Sequence, residues 1–132
     1  MKNIVFDSYA IICHFKKEKG HEEVSEELSE IAIGNKAGFI SLINVGEVYY
    51  ILHRTYGLKI AEESVKIIHQ LPLQIITPDL EQTISSARFK ANNKMSYADA
   101  FAAALTKMKN AVLITGDKEF KAVQKDIKIR FI

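Results

Sequence analysis

The sequence contains few of the residues that stabilise secreted or metal-stapled proteins. Of its 132 residues, one is cysteine and none is tryptophan. A single cysteine, Cys13, excludes an internal disulfide, and such usage is typical of a reducing compartment. The four histidines show no zinc-type spacing with it. We therefore expect a cytoplasmic protein that needs neither disulfides nor structural zinc.

Long apolar runs and low-complexity segments are also missing. No stretch approaches the roughly 20 apolar residues of a membrane-spanning helix, and Asp7 interrupts the N-terminal apolar run that a signal peptide would need. Two prolines and six glycines form no flexible linker. We therefore predict a single domain over residues 1–132, without membrane association.

The charged residues are nearly balanced, with 18 basic and 16 acidic side chains and a net charge of +2. This balance does not by itself indicate nucleic-acid binding. The charges are unevenly placed, because five glutamates lie within residues 22–30 and the segment after residue 106 is rich in lysine. Solvated helix faces explain most of them.

Short apolar runs alternate along the chain with segments of helical periodicity. The runs predict strands at residues 4–6, 38–42, 73–76, 111–114 and 127–131. Cap residues and periodicity predict helices that begin near Ser8, His21, Asn44, Leu58, Pro78 and Ser96. Alternation of this kind is typical of an α/β fold in which helices cover both faces of a parallel sheet.

Two acids follow predicted buried strands. Asp7 ends the run Ile4-Val5-Phe6, and Asp117 follows the run at residues 111–114 after two further residues. In a parallel sheet both acids must lie at the carboxyl edge, which is where open α/β sheets bind ligands. Taken alone, Asp7 is better explained as a helix cap than as a ligand-binding residue, and Asp117 could also be only a cap.

Two further acids lie in the first turns of predicted helices that can enter from the same edge. Glu47 falls on an apolar stripe, and a buried glutamate requires a cation, which Arg54, a lysine or a metal would provide. Alternatively, Glu47 lies at the margin of the helix, where its carboxylate reaches water and suits the helix dipole. Asp99 completes a capping box with Ser96, which is its structural explanation. Its helix face otherwise carries two alanines and a threonine, whose small side chains leave room for a ligand.

Four carboxylates a few ångströms apart cannot all ionise without a compensating cation. Acids without histidine or cysteine favour Mg²⁺ or Mn²⁺ over Zn²⁺. Such an ion activates a bound water and stabilises charge on phosphate oxygens. The pattern therefore predicts metal-assisted phosphodiester hydrolysis by Asp7, Glu47, Asp99 and Asp117, with Ser8 and Thr115 orienting a water or ligand and Lys118 and Arg54 meeting phosphates.

Four blocks, in their order and spacing, resemble the PIN domain family, and within it the VapC-type ribonuclease toxins. The blocks are Ile4-Val5-Phe6-Asp7-Ser8, Asn44-Val45-Gly46-Glu47-Val48, Ser96-Tyr97-Ala98-Asp99-Ala100 and Leu113-Ile114-Thr115-Gly116-Asp117, the last followed by Phe120. The resemblance implies a three-layer α/β/α sandwich on a parallel sheet. It also implies Mg²⁺- or Mn²⁺-dependent RNA cleavage, with metal held by Asp7, Asp99 and Asp117 and with Glu47 in the same cluster.

The resemblance further implies a homodimer that is silenced by a VapB-type antitoxin, whose tail enters the acidic site. Two positions depart from the family pattern. Tyr9 stands where a smaller polar residue is frequent, and Gly116 stands where many relatives have asparagine. The second departure predicts weaker positioning of the substrate near Asp117.

Other functions are compatible with the same residues. One is a housekeeping PIN nuclease that processes RNA precursors, and another is a catalytically silent PIN-like interaction module. A binding-only role would not require all four acids, and the lack of an appended RNA-binding domain favours the toxin. A phosphotransfer enzyme of the haloacid-dehalogenase type needs a second Asp two residues after the first, where Tyr9 stands.

Overall fold

The apolar runs form one parallel sheet in the computed structural model, which describes residues 2–132. Its strands are β1 (Lys2–Phe6), β2 (Lys36–Ser41), β3 (Gln74–Ile76), β4 (Val112–Thr115) and β5 (Lys128–Phe131). They pair in the order β3-β2-β1-β4-β5, and every pair is parallel. The strand that carries Asp7 is therefore central, with β4 directly beside it.

Helices connect the strands and cover the sheet. They are α1 (Ser8–Lys16), α2 (His21–Ala32), α3 (Leu42–Tyr56), α4 (Leu58–Gln70), α5 (Leu80–Asn92) and α6 (Tyr97–Met108), and a 3-10 turn (Lys118–Val123) links β4 to β5. Within residues 2–132, none of these helices has the length and apolarity to cross a bilayer.

Two apolar cores lie on opposite faces of the sheet because successive strand residues point to opposite sides. Val5 and Leu113 face one core, which α5 and α6 complete. Ile4, Phe6 and Ile114 face the other, which is completed by α1 to α4. The predicted α/β/α sandwich on a parallel sheet is confirmed.

The third helix begins two residues before the predicted cap, Asn44. Ser41 is the cap: its hydroxyl oxygen accepts a hydrogen bond from the backbone N–H of Ile43 at 3.2 Å. Strand β2 thus passes directly into α3, with Leu42 as the first helical residue rather than the end of the strand. Asn44 lies inside the first turn and is fully buried, so it is available to contact neighbouring elements.

The fifth helix begins after Pro78, which was predicted to be its first residue. Asp79 is the cap, and its Oδ1 accepts from the backbone N–H of Gln82 at 2.8 Å. The capping carboxylate sets the start of this helix, so Pro78 lies just before the cap and not at the first helical position that proline often occupies.

Candidate metal centre

Asp7 lies at the carboxyl end of β1 and is 1% exposed. Its Oδ1 accepts from the backbone N–H of Ala10 at 2.8 Å and so caps α1. Its Oδ2 accepts from the hydroxyl of Thr115, the last residue of β4, at 2.5 Å. Asp7 is therefore both a helix cap and a buried carboxylate at the edge of the sheet.

Glu47 lies in the first turns of α3 and is half-buried. Its carboxylate accepts a hydrogen bond from the hydroxyl of Ser8, and the side-chain amide of Asn44 lies 3.4 Å from Oε1. The same amide donates to the carbonyl of Ala98 at 3.2 Å. These contacts join α1, α3 and the start of α6 around one acid.

Arg54 is not the cation that Glu47 was predicted to require. Its guanidinium lies 5.4 Å from the centre of the Tyr50 ring, and the side chain is exposed. The two partners of Glu47, Ser8 and Asn44, are neutral. The carboxylate of Glu47 is therefore hydrogen-bonded but has no ion-pair partner within residues 2–132.

Asp99 and Asp117 face each other across the same edge. The hydroxyl oxygen of Ser96 accepts from the backbone N–H of Asp99 at 3.1 Å, so half of the predicted capping box is present. The carboxylate of Asp99 is not needed for that bond, although the residue is only 6% exposed. Asp117 donates its backbone N–H to the Thr115 hydroxyl at 3.0 Å.

A fifth acid, Glu119, joins these two and was not predicted. One carboxylate oxygen from each of Asp99, Asp117 and Glu119 lies within 4.8 Å of the others, a spacing at which one metal ion could be held. The 3-10 turn returns Glu119 to the cluster, and its backbone N–H donates to Asp117 Oδ1 at 2.9 Å. The sequence feature that could have indicated Glu119 is its position two residues after Asp117, the acid at the carboxyl edge of the sheet.

The acids surround an open cleft of about 540 Å³. Its lining residues are Ser8, Tyr9, Ile12, Glu18, Glu47, Ile51, Ser96, Asp99, Asp117 and Glu119. Five of them are acids and none is lysine or arginine, and no ion pair within residues 2–132 involves Glu47, Asp99, Asp117 or Glu119. Asp7 and Thr115 are buried at its edge, whereas Lys118, like Arg54, does not line it.

Burial and mutual repulsion raise the pKa of the two most deeply placed acids. Burial raises the pKa of Asp7 to about 7, although hydrogen bonds from Thr115 and Ala10 oppose the shift. Burial, and then the charges of Asp117 and Asp7, raise the pKa of Asp99 to about 8. The metal-free site therefore holds protons near neutral pH.

The donor set fits a hard divalent cation. All candidate ligands are carboxylate oxygens, which Mg²⁺ and Mn²⁺ prefer, and the described cleft offers no histidine or cysteine. The structure thus brings together the four predicted acids, adds Glu119, and leaves Arg54 and Lys118 outside.

Several solved structures share this fold. The VapBC2 complex of Rickettsia felis, bound to a promoter DNA fragment, matches with a TM-score of 0.77, 17% identity and 98% coverage of each chain. DNA-bound VapBC of Salmonella typhimurium matches with a TM-score of 0.75 and 17% identity, and the match covers 99% of this chain and 98% of that one. VapC20 of Mycobacterium tuberculosis, a toxin that cleaves the sarcin-ricin loop, matches with a TM-score of 0.72 and 15% identity. This match covers 91% of this chain and 94% of that one.

The sequence itself was also compared with known proteins. No curated protein sequence matches the chain significantly. A model of the PIN domain family matches residues 4–126. This range includes the four predicted acids and Glu119. The resemblance inferred from the four sequence blocks is therefore confirmed, and the chain belongs to the PIN domain family.

Proposed function

We propose that residues 1–132 form a single PIN domain that acts in the cytoplasm as a metal-dependent endoribonuclease, the toxin of a VapBC-type toxin–antitoxin pair. The observation that carries the proposal is a group of four carboxylates in an open cleft, none of which has an ion-pair partner within residues 2–132: Glu47, Asp99, Asp117 and Glu119. Membership of the PIN family and a fold shared with VapC toxins support it.

Mg²⁺ or Mn²⁺ would be held by Asp99 and Asp117, with Asp7 and Glu47 in the same cluster and Glu119 as an added ligand. An ion held there would lower the pKa of a bound water and stabilise charge on phosphate oxygens. The chain's own contribution is to fix the carboxylates. Thr115 holds Asp7 through a hydrogen bond, and Ser8 holds Glu47 in the same way.

The roles first predicted for the flanking residues are modified by these contacts. Ser8 and Thr115 use their hydroxyl groups to hold acids, and their orienting of a water or ligand stays a prediction. The RNA substrate, the VapB-type antitoxin and the homodimer also stay predictions. Structures of similar chains solved as VapBC complexes support the antitoxin as a partner.

The proposal is tested by incubating the purified protein with total RNA in Mg²⁺, in Mn²⁺ or in EDTA. We expect cleavage with either metal and none in EDTA, because the cleft alone repels phosphates. Excess Mg²⁺ added after EDTA should restore activity. Cleavage that EDTA does not reduce would contradict the metal mechanism, and metal binding without cleavage of any RNA would favour the interaction module.

Replacing Glu119 with glutamine should weaken Mn²⁺ binding about tenfold, a loss typical of groups that support a metal site. The reason is that one carboxylate leaves the group of three oxygens, while the backbone N–H that contacts Asp117 is kept. Isothermal titration calorimetry measures the change. Glu22→Gln is the matched control, because the Glu22 side chain is 87% exposed and lies outside the cleft. Equal affinities in both variants would remove Glu119 from the ligand set.

A further inference from the structure

Tyr9 is an exposed aromatic residue on the wall of the acidic cleft. It lies in the first turn of α1, where its neighbours Ala10 and Ile11 are fully buried. The Tyr9 side chain instead lines the cleft with Asp99 and Asp117 and is 48% exposed. Its position therefore contributes more to the cleft than to the apolar core.

Gly116 provides the space that the Tyr9 ring occupies. A Cβ atom added at Gly116 would lie 2.1 Å from Cε1 of Tyr9 and 2.6 Å from its Cζ. The backbone φ of Gly116 is not positive, so the glycine is not required by the conformation of the chain. Only the close approach of the ring explains why a side chain is excluded at this position.

The two departures from the family pattern are thus one feature. An asparagine at position 116 would displace the ring, and a smaller residue at position 9 would leave the gap empty. Gly116 was expected to weaken the positioning of substrate near Asp117. The Tyr9 ring packs against Gly116, and Tyr9 and Asp117 both line the cleft. The effect of Gly116 on substrate positioning stays a prediction.

Two kinds of contact could hold an RNA substrate in the cleft: one to its phosphates and one to a nucleobase. Phosphates would be attracted by bound metal, because no lysine or arginine lines the cleft. A nucleobase would gain from stacking on an aromatic ring, which is independent of charge and tolerant of sequence. No aromatic or cationic group within residues 2–132 stacks on Tyr9.

We propose that Tyr9 is a positioning residue whose ring stacks on a nucleobase next to the scissile phosphate. The inference rests on the proposed nuclease function. Tyr9 would take no part in the chemical step, which belongs to the acids and the metal.

The test measures binding of two labelled probes by fluorescence anisotropy, with Ca²⁺ in place of Mg²⁺ and gels to verify that the RNA stays intact. One probe is a random-sequence single-stranded RNA, and the other is an abasic ribose-phosphate oligomer of equal length. Wild type should prefer the RNA. Tyr9→Ala should lower affinity for RNA by roughly 5- to 100-fold and leave affinity for the abasic probe unchanged, whereas Tyr9→Phe should restore the preference.

Two further variants make the test specific. Gly116→Ala should weaken RNA binding by displacing the ring, and combining it with Tyr9→Ala should cause no additional loss, since both remove the same contact. Tyr56→Ala is the matched control, because Tyr56 is 50% exposed and lines a different groove with Phe15 and Leu52. Its affinity should equal that of wild type.

The possible failures are distinguishable. If wild type cleaves RNA but Tyr9→Ala keeps its preference for RNA over the abasic probe, the stacking inference is wrong and the nuclease function stands. If wild type binds both probes equally, stacking is likewise wrong. If wild type neither binds nor cleaves RNA, both proposals are wrong.

Discussion

Asp99→Asn should reduce metal-dependent RNA cleavage by at least about 100-fold, since it removes a ligand from the ion that would activate water and stabilise phosphate charge. The fold should be unaffected. The backbone N–H of Asp99, and not its carboxylate, makes the capping contact with Ser96. Single-turnover cleavage in Mg²⁺ and circular dichroism measure the two properties separately.

Asp79→Asn is the matched control for this prediction. Like Asp99, Asp79 lies at the start of a helix. It is the cap itself, through its side chain, and it lies outside the acidic cleft. Asparagine caps about as well as aspartate, so this variant should cleave RNA like wild type. If both variants were as active as wild type, the Asp99 carboxylate would not be needed for cleavage, and the proposed metal centre would be wrong.

Asp7→Asn should also abolish cleavage, and it should change how the stability of the metal-free protein depends on pH. The pKa of Asp7 is raised to about 7 in the folded protein, from an ordinary value of 3.8, and that of Asp99 is raised to about 8. Between about pH 4 and pH 8 the folded state therefore binds more protons than the unfolded state. The free energy of unfolding of the wild type in EDTA should fall as the pH rises through this window.

Removing the titrating group at position 7 should make that fall smaller. Asparagine keeps an oxygen for the N–H of Ala10 and carries no charge to bury, so Asp7→Asn should unfold at a higher temperature than wild type near pH 8 in EDTA. Thermal unfolding followed by circular dichroism between about pH 4 and pH 9 measures the effect. Asp7→Ala, which loses the cap, should be destabilised by about 1 kcal/mol or more.

Mg²⁺ should reduce the difference in melting temperature between wild type and Asp7→Asn by stabilising the wild type. The ion competes with the protons of Asp7 and Asp99, so its stabilisation of wild type should grow as the pH rises. Asp7→Asn should show a smaller gain. If Asp7→Asn cleaved RNA normally, Asp7 would not belong to the site. If the melting temperature of wild type in EDTA rose with pH instead, the raised pKa of Asp7 in the folded protein would be contradicted.

The sheet and its acids could be predicted because parallel strands share one carboxyl edge. Apolar runs that end in Asp7 and Thr115-Gly116-Asp117 give both the strands and the edge. The start of α3 could not be predicted, since Ser41 and Asn44 are both good caps. Which one is used depends on where β2 stops pairing with β3, at Ser41 opposite Ile76.

Glu119 and Arg54 show where sequence patterns end. Glu119 reaches the cluster because Phe120 and Val123 are fully buried and fix the direction of the 3-10 turn, which no local pattern reveals. Arg54 lies two turns from Glu47 on the same helix. The two do not pair: the glutamate contacts Ser8 on another helix, and the Arg54 guanidinium lies over the Tyr50 ring. Contacts between elements decided both cases.

The hydroxyl of Thr115 touches two acids that come from different strands. It donates to Asp7 after β1 and accepts from the backbone N–H of Asp117 after β4. The separation of these acids is therefore inherited from the pairing of Phe6 with Ile114, which the buried core holds in place. Helices and surface loops can diverge in sequence without altering that separation. The spacing of these two edge acids is thus a property of the core, and changes to the walls of the cleft can alter what it admits while leaving that spacing intact.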